Sequence, residues 1–354
     1  MSDRSLPPED GATREHTAEQ LPPSPRLSGA RFFTQLGVSL LIGAVLCFFA
    51  FRDLNWGRLN AQAEHLNWGG VWLYIAIFSG AHILRLLRWG LFVRVLSGAP
   101  WTAILRIGAV GYMAITLLPF RLGELIRPLL LSREKILNSS SALATVVVER
   151  IIDGLLFVGL FFLCLSSLPP SDAPAVQAVK IGAYGAGLVF SGLTLVLSAL
   201  AWKRALTLRF LRRLGAPLPS TLVERVITLL EAFIDGLRVL PNLRSLFIFF
   251  AFTAIYWILQ GWGMAIAASA CGIEDLGLMG AFTLLSILVV GIMIPAGPGF
   301  TGSFELALVG GFALLAHPGE AEIPLYIIVL HGAQVSVQSV AGLLALALRG
   351  RGTR

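Results

Sequence analysis

Residues 115–128, with the sequence ITLLPFRLGELIRP, place charged and helix-breaking residues between long apolar runs. A proline and a glycine interrupt the helix here, so peptide groups near the turn are left without partners. Arg121 and Arg127 carry forked donors, which suit phosphate oxygens better than lysine does. We therefore predict that both arginines bind an anion and that Glu124 neutralises one of them until the anion arrives. A purely structural Arg–Glu pair is the alternative.

A second interrupted stretch lies at residues 292–305, with the sequence IMIPAGPGFTGSFE. Gly299 and Gly302 belong to a loop that can present backbone N–H groups to an anion, and Ser303 adds a hydroxyl. Glu305 is its only charge and is predicted to be a counter-charge or proton carrier. The loop lacks the Gly-Lys-Ser/Thr end of a P-loop, so we do not expect a nucleotide site.

The sequence ERIID places three charges inside another apolar run. Glu149 and Asp153 are four residues apart and share a helix face, while Arg150 and Asp153 are three apart and can pair. Charges at this depth in a membrane usually face the protein interior. An internal salt bridge next to the first stretch and a direct substrate role both remain open.

Two further polar groups are predicted to support the site. Arg85 and Arg88 precede a tryptophan at the end of an apolar run, a pattern typical of boundary anchors, with a basic vestibule as the alternative. His331, Gln334 and Gln338 form one stripe on the last run. Hydrogen bonds between helices are the usual reason for such a stripe, and the lining of a cavity is the second interpretation.

The composition indicates a membrane protein. Hydrophobic residues make up 56% of the chain and charged residues 13%, with a mean hydropathy of +0.79, whereas soluble domains carry about a quarter charged residues. The net charge of +7 comes from arginines and lysines in loops between apolar runs. That distribution is typical of cytoplasmic loops and argues against nucleic acid as a partner. The three cysteines are isolated, and neither a metal nor a cofactor is expected.

Apolar runs of the length that spans hydrocarbon predict about eight hydrophobic helices. The runs are 33–51, 70–87, 101–118, 141–168, 179–201, 246–270, 279–294 and 324–348.

Counting all eight as simple spans would place the arginine-rich loop 202–245 outside the cell. If residues 101–131 and 279–316 instead enter and leave on the same side, every basic loop and both termini lie in the cytoplasm. We therefore predict an all-α polytopic membrane protein. Its two inverted halves, 32–168 and 179–348, each contain a re-entrant broken helical hairpin.

The remaining segments are predicted to be peripheral. Residues 1–31 are polar and proline-rich and are expected to form a disordered cytoplasmic tail. The transmembrane domain covers 32–348, and its cytoplasmic segment 202–245 contains an amphipathic helix at 222–240. Residues 349–354 form a short basic tail.

The sequence resembles the lysylphosphatidylglycerol synthase transmembrane region, also called the flippase-like domain family, over about residues 33–348. In full-length aminoacyl-phosphatidylglycerol synthases, a region like this moves the modified lipid between leaflets, and a cytosolic transferase domain makes that lipid. The chain ends at Arg354, so we expect translocation without synthesis. The motifs that carry the resemblance are Arg85-x-x-Arg88-Trp89, Leu118-Pro119-x-Arg121-x-Gly123-Glu124 with Arg127, Glu149-Arg150-x-x-Asp153, Pro295-x-x-Pro298-Gly299 and Gly302-x-x-Glu305.

The resemblance and the charged residues together imply a non-enzymatic lipid translocase of the bacterial cytoplasmic membrane. Its cargo is expected to be an anionic phospholipid or a polyprenyl-phosphate-linked lipid. One alternative is an intramembrane polyprenyl-pyrophosphate phosphatase. Another is an accessory subunit, with a lipid- or glycan-synthesis enzyme as its partner. The sequence leaves the lipid, the direction of transport and the oligomeric state open.

Overall fold

The computed structural model describes residues 29–52, 56–118, 123–167, 243–293, 297–315 and 322–349, together with individual residues between 177 and 228. Within these ranges the regular elements are helices, with no strand. They are α1 Gly29–Phe51, α2 Trp56–Glu64, α3 Trp68–Ser97, α4 Trp101–Leu117, α5 Ile126–Arg133, α6 Ser139–Ser167, α7 Leu243–Ala270, α8 Gly277–Gly291, α9 Ser303–Leu314 and α10 Glu322–Arg349.

Three of the described helices are long and apolar enough to cross a membrane. They contain the segments Trp68–Ser97, Phe247–Ala270 and Glu322–Leu348. Large apolar side chains such as Trp72 and Leu343 are exposed on their outer faces, as expected for surfaces that contact hydrocarbon. Shorter apolar helices accompany them at Leu40–Phe51, Trp101–Leu117 and Gly277–Gly291. The prediction of a helical membrane protein is confirmed, while the count of eight and the inverted halves stay predictions.

Each predicted apolar run within the described ranges coincides with a helix, because a run of about 20 apolar residues can satisfy its backbone in hydrocarbon only as a helix. Run 179–201 and the predicted amphipathic helix 222–240 lie largely outside the described residues. One boundary is corrected: α1 begins at Gly29, so the last residues of the predicted disordered tail are helical. The short helix α2 was not predicted.

The first break separates α4 from α5 and is defined here as residues 118–125. Leu118 ends α4 with extended backbone, φ −88° and ψ 141°, which is the conformation that a following proline favours. The α5 helix packs against α4. Gly123 lies directly on α4, since a Cβ there would be 2.1 Å from the carbonyl carbon of Ala114.

The second break, residues 292–302, separates α8 from α9, and the structure describes it at 292–293 and 297–302. Gly299 and Gly302 have φ values of +72° and +93°, which side chains rarely tolerate. The α8 and α9 helices on either side of the break pack against each other. Their contact is close at Gly291, where a Cβ would be 2.3 Å from the Cβ of Ala307.

The Gly123→Ala substitution is expected to destabilise the folded protein by at least about 3 kcal/mol, the upper end of typical overpacking costs, because rigid backbone blocks the new methyl group. Gly310→Ala is the matched control, since a Cβ at Gly310 in α9 meets nothing within 4 Å. The control should be neutral or stabilising by up to ~1 kcal/mol. Thermal unfolding of both purified variants in detergent measures the difference, and equal melting temperatures would contradict the packing described for the first break.

The helices surround a common centre. The α3 helix packs along α7, α4 packs against α10, and α6 packs against α8. The largest buried apolar cluster joins α3, α7, α8, α9 and α10 and includes Phe78, Leu284 and Tyr326. This packing places the charged part of α6 against α3 and α5.

Candidate functional site

A buried ion cluster links the four helices α3, α4, α5 and α6. Glu149 of α6 lies at its centre and accepts hydrogen bonds from Arg88 Nη2 at 2.9 Å and Arg127 Nη1 at 2.8 Å. The Tyr112 hydroxyl also donates to Glu149, at 2.8 Å, and accepts from Arg127 at 2.9 Å. Asp153 accepts from both terminal nitrogens of Arg88, at 2.5 and 2.8 Å. The cluster is defined as Arg88, Tyr112, Arg127, Glu149 and Asp153.

Burial and charge balance explain why this cluster is stable. The side chains of Arg88, Arg127 and Glu149 are all 0% exposed, and two arginines face two carboxylates. Such charges are tolerated in an interior only when they are paired and hydrogen-bonded. A glycine makes the close approach possible, because a Cβ at Gly111 would be 2.1 Å from Arg127 Cγ.

The cluster corrects two expectations about individual residues. Arg88 is not a boundary anchor, since it is fully buried between helices. Asp153 pairs with Arg88 rather than with Arg150. Arg127 pairs with Glu149, and the pairing of Glu124 with one of the two arginines stays a prediction because Arg121 lies outside the described residues. The expected contact between α6 and the first interrupted stretch, residues 115–128, is present, because Glu149 pairs with Arg127. This ion pair lies in the protein interior.

A central cavity of about 190 Å³ lies beside the cluster, between α3, α6, α7, α8 and α10. Aromatic and aliphatic side chains form most of its wall, including Phe78, Phe157 and Phe304. Its polar lining consists of Arg85, Arg150, Asp153, Tyr256, Gln260, Gln334 and Gln338. A mostly apolar pocket with a few convergent polar groups is the usual form of a ligand site.

Arg150 and Arg85 give this cavity a positive charge. The Nε and Nη2 atoms of Arg150 are buried and make no hydrogen bond within the described residues. The Nη2 atom of Arg150 lies 4.0 Å from the Oε1 atom of Glu149, which is beyond hydrogen-bonding distance. Arg85 stacks over the ring of Tyr112 at 4.2 Å. The cavity's one carboxylate, Asp153, is already engaged by Arg88, so the lining favours an anion.

The second break is held by hydrogen bonds within the protein. Glu305 Oε2 accepts from the Gly302 N–H at 2.6 Å, and Oε1 lies 2.6 Å from His331 Nδ1. The other ring nitrogen of His331 lies 2.6 Å from the Gly299 carbonyl. A carboxylate at this position satisfies free N–H groups at the start of α9. His331 of α10 thereby connects the break, at Gly299, to the start of α9, at Glu305.

This bonding leaves the expected anion loop without its main donors. The Gly302 N–H binds Glu305, and the Thr301 N–H binds the Pro298 carbonyl. Ser303 donates its hydroxyl to the Phe300 carbonyl at 3.0 Å. The Gly302 N–H, the Ser303 hydroxyl and the Glu305 carboxylate thus stabilise the turn. The residues of this segment that line the central cavity are Ile292, Met293, Phe300 and Phe304.

The Glu305→Ala substitution is expected to lower stability by about 1–2 kcal/mol, because it removes the cap at the start of α9. His331→Ala removes the other half of the same contact, so the double variant should be less destabilised than the sum of the two single variants. Chemical unfolding of the three variants measures the coupling. Additive effects would show that Glu305 and His331 act independently.

The other predicted residues divide between cavity and packing roles. Gln334 and Gln338 do both: each lines the cavity, while Gln334 donates to the Tyr74 hydroxyl at 3.3 Å and Gln338 accepts from Thr116 at 2.8 Å. Glu124 is half-buried, and its charge acts on Arg150. Arg121 lies outside the described residues, so its role stays a prediction.

Two contributors were missed from the sequence. Tyr112 was not singled out, although it contacts both Arg127 and Glu149. Its position beside Gly108 and Gly111, which allow close helix packing, was the available signal. Thr253 of α7 accepts a 3.3 Å hydrogen bond from Arg88, and a single threonine in an apolar run offers no comparable signal.

Long apolar helices around a buried ion cluster and a positively charged cavity define a polytopic helical membrane protein. The chain belongs to the lysylphosphatidylglycerol synthase TM region family, whose pattern matches residues 36–342. A UPF0104 membrane protein of Methanothermobacter thermautotrophicus is 24% identical over 300 residues, which cover 81% of this chain and 84% of that protein. No solved structure matches the chain at a significant level. The resemblance drawn from the motifs is confirmed.

Proposed function

We propose that this protein moves an anionic, phosphate-bearing lipid between the leaflets of a membrane. The observation that carries the proposal is Arg150, a half-buried arginine that lines the cavity and whose Nε and Nη2 atoms are buried without a hydrogen-bond partner in the described part of the chain. An intramembrane charge of this kind is costly and usually marks a substrate path. The family membership is consistent with such a role.

Different cavity residues would bind different parts of the lipid headgroup. Arg85 and Arg150 would bind phosphate oxygens through their forked donors. Tyr256, Gln260 and Gln334 would meet the remaining headgroup oxygens. Arg127, which was expected to touch the phosphate, would instead fix α5 against α6 through Glu149.

The packing of the helices supports two inverted halves that move against each other. The contact of α4 with α10 has a counterpart in that of α8 with α6, and the α4–α5 pair has a counterpart in α8–α9. The α3 and α7 helices pack on each other at the centre. Rocking of two such halves about a central site is a common plan for alternating access.

The proposed topology places both breaks at the tips of re-entrant hairpins and the 202–245 loop in the cytoplasm. A single cysteine at Arg213 should therefore react with an impermeant maleimide only after the cells are opened. A cysteine at Glu274, in the turn after α7 that contains no arginine or lysine, should react in intact cells. The reverse pattern would overturn the inverted arrangement.

The function is tested with purified protein in vesicles of phosphatidylcholine. Fluorescent phosphatidylglycerol in the outer leaflet should become protected from an impermeant quencher faster than fluorescent phosphatidylcholine does. Equal rates for both lipids, or rates equal to those of empty vesicles, would contradict the proposal. Release of inorganic phosphate from a polyprenyl diphosphate in the same vesicles would favour the phosphatase alternative.

A further inference from the structure

A second depression, the outer groove, opens on the outside of the bundle between α6, α7 and α8. Its volume is about 590 Å³. Several of its side chains are exposed, including Leu156 at 40% and Ile258 at 57%. All the lining residues are apolar or aromatic, among them Leu156, Leu160, Ala254, Ile258, Met279 and Phe282.

The outer groove and the central cavity share a wall. Phe157 of α6 and Trp257 of α7 line both spaces, and their rings contact each other with centroids 5.7 Å apart. Within the described residues, α6 and α7 approach each other less closely than either approaches α8. Two aromatic side chains, rather than packed backbones, therefore separate the polar space from the hydrocarbon side.

The two faces of α6 differ in polarity: the face toward the cavity is charged, and the face toward the groove is apolar. Arg150, Asp153 and Gly154 line the cavity, while Leu156 and Leu160 line the groove. Trp257 adds an indole N–H that is buried and has no hydrogen-bond partner in the described part of the chain. A ligand that fits both spaces must have an anionic end and an apolar chain, joined near this indole.

We propose that the outer groove binds one acyl chain of the lipid whose anionic headgroup occupies the central cavity, and that Phe157 and Trp257 form the lateral gate between them. The inference rests on the proposed function and adds the route by which the lipid enters. The acyl chain of the lipid remains in an apolar environment throughout, so only the headgroup must lose its water. The Trp257 N–H is placed to bind an ester or phosphate oxygen as the lipid passes.

Photo-crosslinking of the full-length protein in phosphatidylcholine vesicles tests the proposal. The probes are phosphatidylglycerol and phosphatidylcholine that carry a diazirine in one acyl chain, each present in trace amount. Labelling of the groove segments of α6, α7 and α8 is compared with labelling of the outer face of α10, where Val340, Leu343 and Leu344 are exposed. We expect the groove-to-α10 ratio to be at least several-fold higher for phosphatidylglycerol, and this preference to disappear in Arg150→Gln. Equal ratios for both probes would show that the groove only contacts bulk lipid and would overturn the proposal.

A variant that fills the groove distinguishes a failure of the acyl-chain proposal from a failure of the proposed function. Ala254 is exposed and lines the groove, so Ala254→Trp should fold normally, lose the labelling preference and slow phosphatidylglycerol translocation at least tenfold. Leu343→Trp on α10 is the control and should behave as wild type. Unchanged transport in folded Ala254→Trp would reject the gate while leaving the translocase in place. A groove preference in a protein that moves neither lipid would reject the translocase and retain the acyl-chain site.

Discussion

The Glu149→Gln substitution is expected to destabilise the protein by roughly 3–5 kcal/mol, the cost of breaking a buried ion pair. Glu149 is 0% exposed and bonds to Arg88, Arg127 and the Tyr112 hydroxyl. Glutamine keeps the size of the side chain but removes the charge that balances two buried guanidinium groups. Asp153 remains to pair with Arg88, whereas Arg127 loses the one carboxylate it contacts among the described residues.

Glu224→Gln is the matched control for this prediction. Glu224 pairs with Arg212, but the two side chains are 57% and 48% exposed, and such surface pairs contribute about 0–1 kcal/mol. Thermal unfolding in detergent should show a large decrease in melting temperature for Glu149→Gln and little change for Glu224→Gln. A similar melting temperature for both variants would mean that the ion cluster does not hold α3, α5 and α6 together.

The Arg150→Gln substitution is expected to reduce translocation of phosphatidylglycerol at least tenfold while leaving the fold near normal. Arg150 lines the central cavity, and its Nε and Nη2 atoms have no hydrogen-bond partner among the described residues, so its loss should remove the proposed headgroup contacts more than internal bonds. A tenfold change corresponds to about 1.4 kcal/mol, which is modest for a charge-assisted hydrogen bond. Arg150→Lys should recover only part of the rate, because lysine keeps the charge but not the forked geometry.

Arg127→Gln provides the opposite pattern and serves as the comparison. Because Arg127 is buried against Glu149, its variant should lose stability first, and transport should fall only as folded protein is lost. Rates normalised to folded protein in vesicles distinguish the two cases. If Arg150→Gln transported normally and a folded fraction of Arg127→Gln did not, the substrate site would lie at the first break.

The helical framework could be predicted from the sequence because hydrocarbon imposes strict rules. An apolar run of sufficient length must form a helix, so α3, α7 and α10 were recognisable from composition alone. The proline and glycines near residues 119–123 and 295–302 likewise marked both breaks. The family followed from the order of the charged motifs. Each of these signals is local in sequence.

The assignment of individual arginines could not be predicted, because it depends on how the helices are rotated when they pack. Arg85 and Arg88 are three residues apart and so lie on neighbouring parts of one helix face. Packing of α3 against α7 nevertheless places Arg88 in the ion cluster and leaves Arg85 at the cavity. Glu149 and Arg150 are adjacent in α6, yet Glu149 belongs to the ion cluster and Arg150 lines the cavity. Partners as distant as Arg88 and Thr253 leave no mark in a single sequence.

The most direct test of the central claim is the affinity of the purified protein for phosphatidylglycerol, measured by native mass spectrometry against phosphatidylcholine. The wild-type protein should prefer phosphatidylglycerol, and the double variant Arg85→Gln/Arg150→Gln should lose at least about tenfold in that affinity, or 1.4 kcal/mol. The control double variant Arg94→Gln/Arg212→Gln removes the same charge from exposed positions and should bind as wild type does. Unchanged affinity in a folded Arg85→Gln/Arg150→Gln protein would contradict the claim that these two arginines hold the headgroup.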